Sequence, residues 1–350
     1  MQRMGIGRAA VAAMLGLMSA CQGEVIEGLG QPPPAQSSPG AGSPGTGSPG
    51  TGSPGTGSPG TGSPSTGSPN PGTSDGSGIF PVDNAWNASI ENAPLDPKSD
   101  AYIASIGAGA GLHADFSGPA NGSYGIPFVE VPADQARVPV TFTDYPEESD
   151  PGPYPIPDNP PVETGDDRHL LVVDRGNGFL YEIFGAAHGS KGWTGMSGAK
   201  WNLRTGDPRP LRWTSADAAG LPIFPGLVRY EEVATGEIKH ALRFTINRSQ
   251  KGFVAPATHA AGSCAMGSDC PPMGLRLRLK KSVDLSRFPQ SVQVILRAMQ
   301  KYGMIVADNG SNWFISGSPS QHWVDDDIVK ISGIKGGDFE VVASGSIMPQ

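Results

Sequence analysis

The stretch His169-Leu-Leu-Val-Val-Asp-Arg-Gly-Asn-Gly-Phe-Leu-Tyr-Glu-Ile-Phe184 decides the fold class. Two apolar runs of strand length flank Arg175-Gly-Asn-Gly178, and an Asn-Gly pair between such runs is a strong hairpin signal. The sequence therefore predicts two antiparallel strands, one from His169 to Asp174 and one from Phe179 to Phe184, joined by a tight turn.

Alternation of apolar and polar residues continues the strand pattern on both sides of this hairpin. It covers three further segments: Arg137–Thr143, Gly236–Asn247 and Leu275–Lys280. A second Asn-Gly turn at 309–310 predicts another hairpin, between Met304–Asp308 and Ser311–Ser316.

Helical spacing is clearest from Pro289 to Tyr302, where Gly303 is placed to end the helix. Weaker helical patterns lie near Ser99–Ile106 and Gln321–Ile331. We therefore expect a mainly β protein: an antiparallel β-sandwich, jelly-roll-like, with a few short helices and long loops.

The N-terminus has the layout of a secretory signal. Basic residues precede an apolar stretch from Ala9 to Leu17, and two small residues stand before Cys21. This arrangement resembles the lipobox of bacterial lipoproteins, in which the cysteine is acylated, although Met18 stands where Leu is commonest. We expect a signal peptide over 1–20 and an exported protein, at the cell surface or in the periplasm, that meets the membrane only through its lipid. The alternative is an ordinary signal peptide with a chance cysteine.

Residues 21–77 are predicted to form a lipid-attached, disordered tether. From Gln31 to about Ser77 the chain is nearly all Pro, Gly, Ser and Thr, with a repeated Gly-Ser-Pro-Gly-Thr unit. Such a segment has no apolar side chains whose burial would offset the entropy lost on ordering. No second break of this kind occurs in residues 78–350, which we expect to form one globular domain and to act as a monomer.

Composition and spacing exclude several function classes. The net charge of −8 and the pI of about 5.2 argue against a general affinity for nucleic acid. Cys264 and Cys270 are predicted to form a disulfide, since exported proteins meet oxidising conditions. A zinc site is disfavoured, because no further Cys or His stands at zinc-ligand spacing. Residues 78–350 contain no Gly-x-Ser-x-Gly, His-Glu-x-x-His or phosphate loop, so we expect neither a metal nor a cofactor.

Three stretches resemble a widespread family of exported bacterial proteins: Trp213–Tyr230, His240–Phe244 and Tyr302–Ser311. The resemblance covers most of residues 78–350. It implies a single compact exported domain, and it transfers no catalytic residues because most of that family has no assigned reaction.

Two carboxylates are candidate catalytic groups. Glu182 shares a strand face with Leu180 and Phe184, so it is either a desolvated general acid or a structural residue. In the structural alternative it lies at a sheet edge or forms a salt bridge with an arginine. Asp217 either opposes Glu182 as the second carboxylate of a glycosidase pair, at about 5–9 Å, or sits in the first turn of a helical segment capped by Thr214 or Ser215.

Further candidates are less specific. His240 lies on the apolar row of its strand, as a base or as a buried structural histidine, with Arg243 on the opposite face. Arg276 and Arg278 form a basic row that either faces an anionic ligand or is solvated. Loop tryptophans either stack on sugar rings or pack in the core, and Trp213 and Trp313 are chosen as substrate-binding candidates.

One His/Asp pair and two further acidic sites complete the set. His113 and Asp115 are spaced as a metal-binding or catalytic pair on an extended segment, or lie in a loop. Asp308 reads as a turn residue and 325–327 as a solvated helix start.

These features favour an exported carbohydrate-active enzyme, most simply a glycoside hydrolase acting on a polysaccharide or a cell-envelope glycan. The first alternative is a non-catalytic module that binds glycan or another envelope protein. The second is a polysaccharide lyase, with His240 or a tyrosine as base and an arginine that neutralises a uronate.

Overall fold

The computed structural model describes residues 79–350. The predicted signal peptide, the lipidation of Cys21 and the tether lie outside the described residues. Within 79–350, none of the helices is both long and apolar enough to cross a bilayer.

Short strands dominate the secondary structure of the described residues, and the mainly β class is confirmed. The α-helices are α1 Ser99–Ile106, α2 Tyr230–Thr235, α3 Gln290–Lys301 and α4 Asp325–Ile328. The strands are β1 His113–Asp115, β2 Phe128–Glu130, β3 Val140–Phe142, β4 Leu170–Asp174, β5 Phe179–Phe184, β6 Ala187–Gly189, β7 Gly192–Gly195, β8 Ser197–Asn202, β9 Leu242–Ile246, β10 Gly252–Phe253, β11 Arg276–Leu279, β12 Met304–Asn309, β13 Phe314–Ser316, β14 Phe339–Val341 and β15 Met348–Pro349. Short 3₁₀ helices include Phe224–Gly226 and Val329–Gly333.

A six-stranded sheet, in the order β1-β13-β9-β12-β11-β14, carries the candidate site. The β1–β13 and β12–β9 pairs are parallel, and the other pairs are antiparallel. The predicted hairpin across the second Asn-Gly turn is therefore wrong, because β12 and β13 both pair with β9, which lies between them. Strand β9 buries Leu242, Phe244 and Ile246, and neighbours on both edges satisfy its backbone groups.

The predicted hairpin over 169–184 is confirmed. Strands β4 and β5 pair antiparallel from Leu170 opposite Ile183 to Asp174 opposite Phe179. They belong to a four-stranded sheet, β2-β4-β5-β8, in which β2 runs parallel to β4. A three-stranded sheet, β3-β7-β6, and the pair β10-β15 complete the set. The sheets are thus mixed rather than purely antiparallel, and the jelly-roll sandwich stays a prediction.

Helix α3 confirms the clearest helical pattern. Its buried residues include Val292, Ile295 and Met299, which recur on one helical face. Gly303, at φ +76°, follows the helix and donates its N–H to the carbonyl of Ala298, as expected for a glycine that ends a helix. Helix α1 also matches its predicted range, and α4 starts at the predicted acidic run.

The apolar face of β9 packs in the main core. Phe244 lies 5.8 Å from the Trp313 ring, which in turn lies 5.4 Å from Phe339, as centroid distances. The structure also confirms the predicted disulfide between Cys264 and Cys270.

Candidate functional site

The polar face of the six-stranded sheet gathers several charged and hydroxyl groups. Alternation along β9 places Arg243 and Thr245 on the face opposite Phe244. Arg243 Nη1 donates to Ser316 Oγ on β13 at 2.5 Å. On β1, Asp115 is the register partner of Ser316, so the row continues across the sheet.

A β-bulge in β12 adds Asp308 to this row. Val306 pairs with Phe244, whereas Asp308, two residues further along, pairs with Thr245. The extra residue is Ala307, whose carbonyl accepts a hydrogen bond from the Ala219 N–H at 3.0 Å. Because the bulge shifts the register by one residue, Asp308 rather than Ala307 shares the face of Arg243.

Asp217 reaches the same guanidinium from a loop. Its Oδ2 accepts from Arg243 Nε at 3.2 Å, and Asp308 Oδ2 lies 3.8 Å from Arg243 Nη2. A turn rather than a helix holds the loop: the Asp217 N–H donates to Ser215 Oγ, and the Asp217 carbonyl accepts from the Gly220 N–H. Because both carboxylates approach the same guanidinium, they lie close to each other, as the two carboxylates of a glycosidase do.

Asp217, Arg243 and Asp308, called the Arg243 cluster below, differ in their access to solvent. The side chains of Asp217 and Arg243 are 0% and 3% exposed, whereas that of Asp308 is 27% exposed. Asp217 Oδ1 is buried and has no hydrogen-bond partner. A buried carboxylate oxygen without a partner is rare, and a catalytic role is one explanation for it.

Burial raises the pKa of Asp217 to about 6, against the opposing charge and hydrogen bond of Arg243. The pKa of Asp308 is raised to about 7, first by burial and then by the negative charge of Asp217. Because one cation faces two carboxylates, the cluster retains a proton near neutral pH.

Glu163 and His169 form a second polar pair beside the Arg243 cluster. His169 Nδ1 contacts Glu163 Oε2 at 2.5 Å, and Nε2 lies 3.1 Å from the carbonyl of Ala216, the neighbour of Asp217. A carbonyl and an ionised carboxylate only accept, so both ring nitrogens carry protons when Glu163 is ionised. Burial lowers the pKa of His169, but the hydrogen bond and charge of Glu163 outweigh burial and leave the pKa raised. For Asp115, burial raises the pKa.

Glu182 lies in a different environment. It is 0% exposed, and its carboxylate accepts from Trp201 Nε1 at 2.9 Å and from the N–H groups of Ile223 and Phe224 at 2.9 and 2.8 Å. Burial raises its pKa, and these hydrogen bonds oppose the shift. The carboxylate therefore ties strands β5 and β8 to the 3₁₀ helix that begins at Phe224.

His240 precedes β9 instead of lying on its predicted apolar row, since the strand begins at Leu242. Its Nε2 lies 3.1 Å from Glu232 Oε2, and Arg229 also contacts Glu232, at 2.7 Å. Burial raises the pKa of Glu232, but the charges of His240 and Arg229 outweigh burial and lower it to about 2. His240 thus belongs to an ion-pair group on α2.

The predicted basic row is committed to the protein backbone. Arg276 donates to the carbonyls of Ala85, Ala88 and Tyr302, and Arg278 donates to Glu340 and to the carbonyls of Ile90 and Ala93. These guanidinium groups fasten residues 85–93 to β11.

The two chosen tryptophans are placed differently. Trp313 is 0% exposed and donates its Nε1–H to the carbonyl of Gly107, which puts its ring in the core. Trp213 is half-buried, with the Arg209 guanidinium 5.6 Å from its ring centroid. His113 is exposed and stacks on Phe314, whereas Asp115 is half-buried.

A cavity of about 360 Å³ lies outside the Arg243 cluster, and its walls are mainly apolar. Its polar wall groups include Asn84, Arg209 and Thr258, which already hydrogen-bond to the protein. We therefore place the candidate chemistry at the Arg243 cluster. Among residues 79–350, no three His, Cys, Asp or Glu side chains converge closely enough to hold a metal ion.

Sequence reasoning selected Asp217 and Arg243 but gave Asp308 only a turn role and did not select Glu163 or His169. One signal was available for Asp308, which is a charged residue at the end of an otherwise apolar run, 304–307. Nothing local marks Glu163, because its contacts form only through the loop that ends at His169.

No protein family, curated protein or solved structure matched the chain in comparisons with known proteins. The family resemblance carried by 213–230, 240–244 and 302–311 therefore stays a prediction. Each of these three stretches supplies one member of the Arg243 cluster: Asp217, Arg243 and Asp308 in turn.

Proposed function

We propose that the protein is an exported acid–base hydrolase that cleaves glycans, with its reaction centre at the Arg243 cluster. One observation carries the proposal: two carboxylates share a buried guanidinium, and only one of them, Asp308, is open to solvent. A general acid needs a carboxyl group that is protonated near the working pH and within reach of its substrate.

Asp308 is the proton donor in this proposal. Its pKa of about 7 keeps a large share of the carboxyl protonated at neutral pH, and its partial exposure, 27% of the side chain, leaves it accessible to a leaving-group oxygen. Asp308 gives its proton to that oxygen as the glycosidic bond breaks, water adds at the sugar carbon, and the proton that the water loses returns to the Asp308 carboxylate.

Asp217 and Arg243 influence the Asp308 carboxyl group and the positive charge that develops on the sugar ring. The negative charge of Asp217 is one cause of the raised pKa of Asp308. Asp217 is shielded from solvent, so it acts through its charge, which favours the positive charge that develops on the sugar ring. Arg243 fixes the positions of both carboxylates.

The polysaccharide lyase alternative gains no support from this site. Asp115 and Glu163 add two further carboxylates near the Arg243 cluster. The positive charge of Arg243 acts to lower the pKa of each of them. Four carboxylates close to one arginine disfavour binding of a uronate, and the His240 ring contacts Glu232.

The test is release of reducing ends from a panel of neutral polysaccharides by the purified chain and by Asp308→Asn. We expect the substitution to lower turnover by roughly 10²–10⁴-fold, because it removes the proton donor while preserving shape. Wild-type turnover should also fall as the pH rises above about 7, since Asp308 then loses its proton.

Asp327→Asn is the matched control, because the Asp327 side chain is 34% exposed and pairs with Lys330 on the surface. Its turnover should equal that of the wild type. Wild-type chain that cleaves none of the glycans, or an Asp308→Asn variant as active as the control, would refute the proposal.

A further inference from the structure

The cavity outside the Arg243 cluster has the composition of a ligand site. Aromatic side chains in its wall are Phe80, Trp86 and Trp201, and Leu211 and Met348 add aliphatic surface. We propose that this cavity binds an uncharged, aromatic small molecule of one or two rings. This site is separate from the proposed glycan chemistry and does not depend on it.

The size of the cavity fits such a ligand. Its volume of about 360 Å³ falls in the range of about 300–1,000 Å³ that is typical of small-molecule pockets. Aromatic rings in the wall favour an aromatic ligand, because aromatic pairs gain energy beyond their buried area.

The charge state of the ligand follows from Arg209, the buried cation of the wall. Its Nε donates to the Thr214 carbonyl, Nη1 to Asp150 and Nη2 to the Glu148 carbonyl. Its guanidinium also lies 5.7 Å from the ring centroid of Trp201. Three of its five N–H groups are therefore bonded within the protein, and the Asp150 carboxylate offsets its charge, so the wall carries no unpaired cation for an anionic ligand.

The other polar wall groups are used in the same way. Asn84 donates its amide to the Gly206 carbonyl, and the Thr258 hydroxyl bonds to the carbonyls of Trp213 and Gly220. Asp207 is exposed and accepts from the Thr205 hydroxyl. A charged ligand would leave its charge unpaired against apolar walls, which costs free energy.

Two fluorescent probes with the same aromatic skeleton test the charge rule on the full chain. N-phenyl-1-naphthylamine is neutral, and 8-anilino-1-naphthalenesulfonate adds a sulfonate. We expect saturable binding of the neutral probe and binding at least about tenfold weaker for the sulfonate. Absence of saturable binding of the neutral probe, or equal affinity for both, would overturn the proposal.

Paired variants locate the binding. Leu211 is 62% exposed at the cavity wall and Val329 is 61% exposed outside it, so an aspartate at either position leaves the fold intact. We expect Leu211→Asp to weaken binding of the neutral probe by about tenfold or more. Val329→Asp should leave the affinity for that probe unchanged. Equal effects of the two variants would show that the probe binds elsewhere and would refute the site.

Discussion

Glu182 and Asp217 are both buried carboxylates, at 0% and 1% exposure, yet their surroundings differ. Three N–H donors satisfy Glu182, from Trp201, Ile223 and Phe224. Asp217 has one cationic partner, and its Oδ1 has no hydrogen bond. Burial alone therefore does not separate a carboxylate that holds the fold from one that takes part in chemistry. The separating property is how completely its oxygens are satisfied.

Removing the cation on the Asp217 side should have the largest effect on stability. Arg243→Met leaves Asp217 buried without a counter-charge, and breaking a buried ion pair in this way costs about 3–5 kcal/mol. Denaturant unfolding should show that loss in the free energy of unfolding.

The double variant Arg243→Met/Asp217→Val is the control for that loss. Replacing both charges by apolar groups of similar volume is often nearly neutral, so we expect most of the stability to return. A double variant as unstable as the single one would show that the loss came from packing around β9 and not from the unpaired Asp217.

A smaller loss is expected on the Glu182 side. Glu182→Gln places an amide NH₂ among N–H donors, so at least one of them loses its acceptor, at a cost of about 1–3 kcal/mol. Thermal unfolding should report the loss, while turnover per folded molecule stays normal.

Glu130→Gln is the matched surface variant, since the Glu130 side chain is 47% exposed and pairs with Arg175. Its stability should change by less than about 0.5 kcal/mol. Normal stability of Glu182→Gln together with lost turnover would reverse the comparison and make Glu182 the catalytic group.

The pH dependence of stability offers the finest distinction. The folded pKa of Asp308, about 7, exceeds its ordinary value of 3.8, so the folded state binds this proton more tightly than the unfolded state. The associated stability is present at low pH and is lost as the pH rises from about 4 to about 7. Asp308→Asn removes this proton and should flatten the decline.

We expect the difference between wild type and Asp308→Asn to change by on the order of 1–2 kcal/mol between pH 5 and pH 7.5. This figure is below the full value of the shift, because Asp308 is partly exposed and shares Arg243 with Asp217. Denaturant titrations at the two pH values measure it. Parallel stability curves for the two proteins would mean that Asp308 titrates normally.

The sequence was sufficient where structure depends on neighbouring residues. Alternation and the Asn-Gly turn predicted the β4–β5 hairpin, and helical spacing predicted α3. It failed at the second Asn-Gly turn, because a turn signal describes only local geometry. The strand that separates β12 from β13 is β9, which lies about 60 residues earlier in the chain.

The site follows the same division. Asp217 and Arg243 stood out in the sequence as a loop carboxylate and a strand arginine. Their contact did not, because it joins a loop to a strand 26 residues away. The alternation that predicted β9 also placed His240 on the strand. That placement was wrong, because the strand begins two residues later, at Leu242.

The bulge at Ala307 makes the site sensitive to changes in chain length rather than in residue type. Deleting this one alanine would restore regular pairing between β12 and β9 with Asp308 still opposite Thr245. It would remove the carbonyl that accepts the Ala219 N–H, and with it a backbone tie to the loop that carries Asp217. A related chain that keeps every charged residue but lacks one position within 304–309 would therefore hold its proton donor and lose a support of the second carboxylate.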